Sequence, residues 1–196
     1  MNNVNLNTQR RNRYAGKVGL AALVVAASMT VASPQAMAAI QCFTTPIPVP
    51  TTTSGIYVNL FTGTATPTTA GSPGWDFNPW GATNLYFYTA TGGGFVATGG
   101  VIANLASGTL VDASSTYVGN SSAAQIATYR AGVTNGNLGV RFLESGNTYY
   151  AWVNVTTTGP TLGTPATINN WCFQNTPDTG ITVGTTPVSL QNFSVD

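Results

Sequence analysis

Side chains that could carry out acid–base, nucleophilic or metal chemistry are scarce in this 196-residue sequence. It has no histidine, and four of its six cationic residues lie within the first 17 positions, which leaves only Arg130 and Arg141 after residue 38. Without histidine or lysine in that stretch, a nucleophilic serine lacks its usual base and a histidine metal site lacks its ligands. The composition therefore predicts a protein that is not an enzyme and needs no cofactor.

A pair of carboxyl groups is the one catalytic arrangement that this composition leaves open, because a glycosidase needs two of them about 5 to 9.5 Å apart. The five carboxylic side chains are scattered along the chain and do not form a dense polar cluster. A carboxylate glycosidase using Asp112 and Glu144 is therefore a remote alternative. The Asp-rich loop of an EF-hand is also missing, so a calcium site is not predicted.

Aromatic residues offer a different chemistry in the segment 74–81 (GWDFNPWG). Flat rings beside Asp and Asn side chains are the groups that sugar recognition uses, because a ring packs against the apolar face of a sugar. The same tryptophans could instead plug one end of a core, which is the commoner role in a small sandwich. The candidate glycan-binding residues are Trp75, Asp76, Asn78 and Trp80, with Tyr86 and Tyr88 as possible additions.

The first 38 residues have the three parts of a secretory signal peptide. Residues 1–17 are basic, the 14 residues 18–31 (VGLAALVVAASMTV) are uncharged, and Ala36-Met37-Ala38 is a small-residue cleavage motif. Fourteen helical residues reach only about 21 Å, which is short of a ~30 Å bilayer core. We therefore expect a signal peptide over residues 1–38, a secreted, extracellular or outer cell-surface protein, and no membrane span in the mature chain. Two arginines are also too few for nucleic-acid binding.

Cysteine usage agrees with export, because the only two cysteines are Cys42 and Cys172. An even pair in an exported chain favours a disulfide, and two cysteines without histidine cannot complete a zinc site. The bond would close a very long loop, which stabilises a fold by about 4 to 5 kcal/mol in the chain-entropy model. We expect Trp171, the sequence neighbour of Cys172, to pack near this disulfide.

Eleven short runs rich in β-branched and aromatic residues alternate with clusters of Gly, Asn, Ser, Thr and Pro. This pattern predicts an all-β fold, an antiparallel β-sandwich of jelly-roll or lectin-like type closed by one disulfide. Prolines at 46, 48 and 50 predict an extended lead-in over 39–54, followed by a single sandwich domain over 55–196. The predicted strands are 55–61, 84–89, 94–98, 100–105, 109–111, 124–129, 138–144, 148–156, 168–174, 181–183 and 188–195.

The clearest local unit is a hairpin over 138–156, in which Ser145-Gly146-Asn147 separates two alternating runs. Gly and Asn both tolerate the positive φ that a tight hairpin requires. On its second strand, side chains alternate between two faces. We expect the more apolar set to face the core, namely Tyr149, Ala151, Val153 and Val155.

Several motifs occur in a characteristic order. They are 139–142 (GVRF), 149–155 (YYAWVNV), 168–173 (INNWCF) and 179–181 (TGI), preceded by 57–60 (YVNL) and 73–79 (PGWDFNP). This order resembles exported bacterial β-sandwich proteins with a G-F-R-F, Y-G-W, W-x-[YF] and P-G-x-x-I pattern, although Ala151 stands where glycine is usual. The resemblance implies a surface or secreted protein from a group that mostly has no assigned activity.

Three functional hypotheses follow in order of preference. The first is a non-enzymatic secreted or cell-surface structural or adhesive protein, in its sharper version a homo-oligomer that assembles into fibres or a matrix. Both the lead-in and residues 188–196 are strand-competent ends that could complete a neighbour's sheet. The second is a carbohydrate-binding module that holds a polysaccharide on its tryptophans, and the third is the carboxylate glycosidase.

Overall fold

The computed structural model describes residues 39–160 and 162–187. The predicted signal peptide (1–38) and the predicted strand 188–195 lie outside these residues. Strands and short turns make up nearly all of the described part. The strands are β1 (Ile40–Phe43), β2 (Ile47–Val49), β3 (Tyr57–Val58), β4 (Ala65–Thr66), β5 (Phe77–Trp80), β6 (Tyr86–Thr89), β7 (Gly94–Thr98), β8 (Val101–Ile102), β9 (Leu110–Val111), β10 (Tyr117–Val118), β11 (Gly136–Glu144), β12 (Asn147–Thr157), β13 (Ala166–Gln174) and β14 (Ile181–Thr182). A 3₁₀ turn (Thr69–Gly71) and helix α1 (Ala127–Arg130) complete the described elements.

The strands form three antiparallel sheets. The large sheet has the order β1-β13-β12-β11-β7-β10, with β2 also pairing with β13 and β8 with β7. A four-stranded sheet has the order β4-β3-β5-β6, and β9 and β14 form a two-stranded ribbon. The prediction of an all-β, antiparallel fold is confirmed, and the arrangement is consistent with a sandwich.

The main core lies between the large sheet and the four-stranded sheet. Val58, Phe77 and Phe87 project into it from the smaller sheet and meet side chains from β7, β11, β12 and β13. The set expected on β12 is there, since Tyr149, Ala151, Val153 and Val155 all belong to this core. The period of two along a strand therefore identified the core face correctly.

A second, smaller core covers the opposite face of the large sheet. Tyr150 and Trp152 of β12 pack there with Cys172 and with Val111 and Ile181 of the ribbon. Both faces of β12 are therefore buried, and the sequence pattern had not indicated this because the second face carries tyrosine, tryptophan and asparagine.

The predicted disulfide joins Cys42 of β1 to Cys172 of β13, 130 positions apart. The two cysteines face each other directly in the antiparallel pairing of these strands. The expectation for Trp171 is wrong, because consecutive residues of a strand point to opposite faces. Trp171 lies in the main core, where it stacks on Phe43 at 4.8 Å, and Trp152 is the tryptophan that packs with Cys172.

The β11–β12 hairpin turns at Ser145 and Gly146, with Glu144 paired to Asn147. The φ angles of Ser145 and Gly146 are 51° and 82°. Two consecutive positive φ angles are what a two-residue hairpin loop of type I′ requires. The predicted turn is confirmed, with Asn147 serving as the first residue of β12.

The strand predicted over 124–129 is wrong, because these residues form a turn that leads into helix α1. The cause is a local capping interaction. The Ser122 amide donates to Gln125 Oε1 at 2.8 Å, and the Gln125 amide donates to Ser122 Oγ at 3.3 Å. This reciprocal pair resembles a capping box and closes the turn that precedes helix α1, whose own N-cap, Ile126, makes no side-chain hydrogen bond.

The predicted lead-in is extended, and it also takes part in the large sheet. Its strands β1 and β2 pair with successive halves of β13. Proline is tolerated in β2 because this strand lies at the edge of the sheet. Three further short strands, β4, β5 and β10, were not predicted as separate strands, and the strand predicted over 55–61 is limited to Tyr57–Val58.

Trp171 also ties the two sheets together through a buried hydrogen bond. Its indole Nε1 donates to the Leu60 carbonyl at 3.0 Å. We expect Trp171→Phe to lower the free energy of unfolding by about 1 to 3 kcal/mol, because the Leu60 carbonyl loses its donor while the ring stack on Phe43 is largely kept. Urea denaturation measures this effect, and an unchanged unfolding midpoint would contradict it.

Candidate functional site

The outward face of the four-stranded sheet carries a group of aromatic side chains. Phe77 and Phe87 point into the main core. Because side chains alternate along a strand, the residues directly before and after each of them point outward. Trp80 is paired directly with Tyr86, and Asn78 with Tyr88. Val58 pairs with Phe77, which places Tyr57 opposite Asn78 on the same face. Local alternation and strand register thus bring rings from three strands onto one surface.

We call this surface the aromatic face, defined by Tyr57, Trp75, Trp80, Tyr86 and Tyr88. All five are half-buried, and none belongs to either hydrophobic core. Trp75 precedes β5 and meets Tyr57 edge to face, with ring centroids 5.2 Å apart. The rings therefore combine contact with one another and partial exposure to solvent, which is typical of a surface that binds a partner.

The two tryptophans differ in how many contacts their rings make with other aromatic rings of the protein. Trp80 stacks on Tyr86 at 4.9 Å with an interplanar angle of 20°, and Tyr88 meets it edge-on at 5.3 Å. Trp75 has one such contact, with Tyr57. The rings of Trp75 and Trp80 therefore do not share one stack, and Trp75 has the larger share of ring surface free of aromatic neighbours.

Arg130 extends this stack from helix α1. Its guanidinium carbon lies 4.3 Å from the centre of the Tyr86 ring, a cation–π contact, and its Nε donates to the Leu85 carbonyl at 2.9 Å. Trp80 Nε1 and Arg130 Nη2 are buried and have no hydrogen-bond partner among the described residues. Both atoms are enclosed by the protein in this structure, so they are not presented to a bound partner.

Asp76 and Asn78, the polar members of the predicted glycan site, are structural groups within the fold. They are only 2% and 3% exposed. Asn78 Nδ2 donates to the carbonyls of Ser54 and Ile56, each at 2.9 Å. Asp76 Oδ2 accepts the Leu60 amide at 2.8 Å. These hydrogen bonds hold the loop ends beneath the aromatic face, so the rings and not these polar groups form its surface.

The pKa of Asp76 is raised to about 7, mainly by burial and in smaller part by the neighbouring Glu144 carboxylate, against the lowering effect of the hydrogen bond from the Leu60 amide. A carboxyl group that has lost its hydration favours the neutral form. Asp76 therefore changes charge near neutral pH while enclosed in the protein.

The glycosidase hypothesis pairs Asp112 with Glu144. Asp112 lies in a turn of its own. Its Oδ1 accepts the hydroxyl and the amide of Ser114, at 2.7 and 2.9 Å. The hydroxyl and amide of Ser114 lower the pKa of this carboxyl. Glu144 is coupled instead to Asp76, so the structure gives Asp112 and Glu144 different surroundings.

A second aromatic and cationic group lies on the opposite side of the large sheet, and the sequence analysis missed it. The guanidinium carbon of Arg141 lies 4.6 Å from the centre of the Tyr117 ring, which stacks on Tyr150 at 6.5 Å. The alternation of side chains along β11 could have placed Arg141 on the face opposite to Glu144. It could not have revealed the partner of Arg141, because Tyr117 lies on β10, a strand that was not predicted.

Searches against known proteins found no matching family model, no matching curated protein and no matching solved structure. The resemblance to exported bacterial β-sandwich proteins therefore stays a prediction. Within residues 39–160 and 162–187, no helix is long and apolar enough to cross a membrane. The same part of the chain contains no group of three or more His, Cys, Asp or Glu side chains suited to hold a metal ion.

Proposed function

We propose that this chain is a non-enzymatic structural or adhesive protein that works outside the cytoplasm, and that the aromatic face is its contact surface. The observation that carries this proposal is the gathering of five half-buried rings, four on the outward side of one sheet and Trp75 in contact with Tyr57 beside it. The pairing of the strands that carry four of the rings makes this a preorganised surface, which lowers the entropic cost of binding.

The composition of the aromatic face supports a role in contact. Tyrosine, tryptophan and arginine are the residues enriched at the energetic centres of protein interfaces. A partner that brings apolar surface would match this composition.

The scarcity of charge supports the same function. Only 6% of the residues of the whole chain are charged. Surface charge is the usual protection against association between β-proteins, so few charges favour adhesion. The Cys42–Cys172 disulfide is consistent with an extracellular location, where such bonds persist.

Removing half-buried rings from the aromatic face tests this function. We expect Trp75→Ala and Tyr88→Ala to reduce binding of fluorescently labelled protein to washed producing cells by at least about tenfold, since buried aromatic anchors often contribute 2 kcal/mol or more. Leu110→Ala is the matched control, because Leu110 is 54% exposed on the ribbon, away from this sheet. Flow cytometry measures the binding, and near-UV circular dichroism checks the fold. Unchanged binding by both aromatic variants would contradict the proposal.

Carbohydrate binding is the second candidate, and the partly free ring of Trp75 is the observation that favours it. A sugar would pack on this ring, as apolar sugar faces do on aromatic surfaces. We expect Trp75→Ala to abolish any signal on a glycan array, whereas Trp80→Ala should have a smaller effect because its ring is already stacked on Tyr86. Binding to no polysaccharide would remove this candidate, and adhesion that survives polysaccharide digestion of the cells would favour a protein partner.

A further inference from the structure

A cavity of about 260 Å³ lies on the main-core side of the large sheet, where the end of β1 approaches β4 of the smaller sheet. Phe43, Ile47 and Ala65 form its apolar walls, and Trp171 of β13 also lines it. Because only 1% of the Trp171 side chain is exposed, this indole closes the inner end of the cavity. The cavity is therefore a pocket with an aromatic floor and not a flat surface.

The aromatic floor and wall of this pocket are fixed in place. The ring of Phe43 stacks on the ring of Trp171, with centroids 4.8 Å apart and an interplanar angle of 23°. Cys42, the residue before Phe43, is held to β13 by the disulfide, and the Trp171 indole donates to the Leu60 carbonyl at 3.0 Å. Neither ring has to be ordered when a ligand enters, which lowers the cost of binding.

The opposite wall is equally well defined, because the loop before β4 is held by Asn59. This side chain is 3% exposed, and its Oδ1 accepts the amides of Phe61 and Thr62 at 3.0 and 2.8 Å. Gly63 follows with a φ angle of 81°, and a Cβ atom at this position would collide with the ring of Phe43. Glycine therefore lets the loop approach Phe43 closely, which gives the pocket its present shape.

The size and the polarity of the pocket restrict the ligand that it could hold. None of the described residues that line it is charged, and its polar side chains are the exposed Thr44 and Thr45. A charged ligand would lose its hydration here without gaining a counter-ion. Apolar cavities of about 150 Å³ hold one benzene molecule, so this pocket has room for one substituted ring.

We propose that this pocket binds a small neutral compound with one apolar ring, which packs against Phe43 and Trp171 and directs a polar substituent to Thr44 and Thr45. A sugar fits less well, because several of its hydroxyl groups would face apolar walls without hydrogen-bond partners. The site is distinct from the aromatic face, and the proposal does not depend on the adhesive function.

Titration of the intact, disulfide-bonded protein with benzyl alcohol tests the site, with methyl NMR signals as the readout. We expect saturable shifts of the Ile47 and Ala65 methyl signals and a dissociation constant of about 1 mM or lower. The methyl signals of Leu110, which is 54% exposed on the ribbon, should not shift. Benzoate has the same ring with a charged substituent and should bind at least about tenfold more weakly.

Variants that fill or cover the pocket locate the binding. Ala65→Leu should weaken the binding of benzyl alcohol at least about tenfold, since the added atoms occupy the space of the ring. Ala113→Leu, the same change at an exposed position in another turn, is the matched control and should leave the affinity unchanged. Thr45→Tyr, at the exposed rim, should also weaken binding and serves if Ala65→Leu does not fold.

Three results would overturn the proposal. The first is the absence of saturable shifts with benzyl alcohol at concentrations up to about 10 mM. The second is equal affinity in the wild type and in each folded pocket variant, which would place the binding elsewhere. The third is tighter binding of glucose or benzoate than of benzyl alcohol, which would assign the pocket to a sugar or to an anion.

Discussion

Replacing Cys42 and Cys172 together with alanine is expected to lower the free energy of unfolding by about 4 to 5 kcal/mol. The two cysteines are 130 positions apart, so the bond removes a large part of the conformational freedom of the unfolded chain. Most small domains have only about 5 to 15 kcal/mol of stability in total, so this loss is a large share. Guanidinium denaturation of the oxidised wild type and of the double variant measures the difference.

Reduction of the wild-type protein is the control for this effect. Dithiothreitol leaves both side chains in place and removes only the covalent bond, so it should reproduce most of the loss seen in the double variant. The loss should be accompanied by exposure of β1, which pairs with β13 through only four residues of register. A change below about 1 kcal/mol on reduction would contradict the stabilising role.

Asp76→Asn is expected to remove a pH dependence of stability that the wild type shows between about pH 4 and pH 7. Burial raises the pKa of Asp76 from 3.8 to about 7 in the folded protein. A raised pKa means that the folded state holds the proton more tightly, so the contribution is fully present below pH 4 and is lost as pH rises through 7. The total loss is up to about 4 kcal/mol, since each pKa unit corresponds to 1.36 kcal/mol.

Urea denaturation at a series of pH values measures this effect. An asparagine amide cannot ionise, so Asp76→Asn should be more stable than the wild type at pH 8 and nearly equal to it at pH 4. Asp112→Asn is the control, because hydrogen bonds from Ser114 lower the pKa of Asp112 instead of raising it. That variant should keep the fall in stability with rising pH, and a flat wild-type profile would contradict the role given to Asp76.

Much of the fold could be predicted from the sequence because strand patterns and turn residues are local signals. The hairpin at Ser145 and Gly146 and the core face of β12 were found in this way, whereas the disulfide was predicted from the presence of just two cysteines in a chain with a predicted signal peptide. The errors arose where a local interaction was overlooked or where composition was ambiguous. Ser122 and Gln125 close a turn ahead of helix α1 in a segment with strand-like residues. Strand β2 was not predicted because it contains a proline, which is tolerated there only because β2 lies at the sheet edge.

The candidate site was only partly predictable, because it depends on pairing between distant segments. Trp75 and Trp80 were identified as aromatic candidates, yet their polar neighbours Asp76 and Asn78 are buried and serve the fold. Tyr57 and Arg130 reach the aromatic face from other parts of the chain, through strand pairing and helix α1. No short sequence motif contains that information.

The most direct measurement of the proposed contact surface is oxidative footprinting of the protein, free in solution and bound to the cells that produce it. Tyr57, Trp75 and Tyr88 are half-buried in the free protein and should therefore react with hydroxyl radicals. We expect these rings to become protected on binding, while Leu110 on the ribbon keeps its reactivity. Protection of the ribbon or the outer face of the large sheet, with the aromatic face still fully reactive, would contradict the proposal.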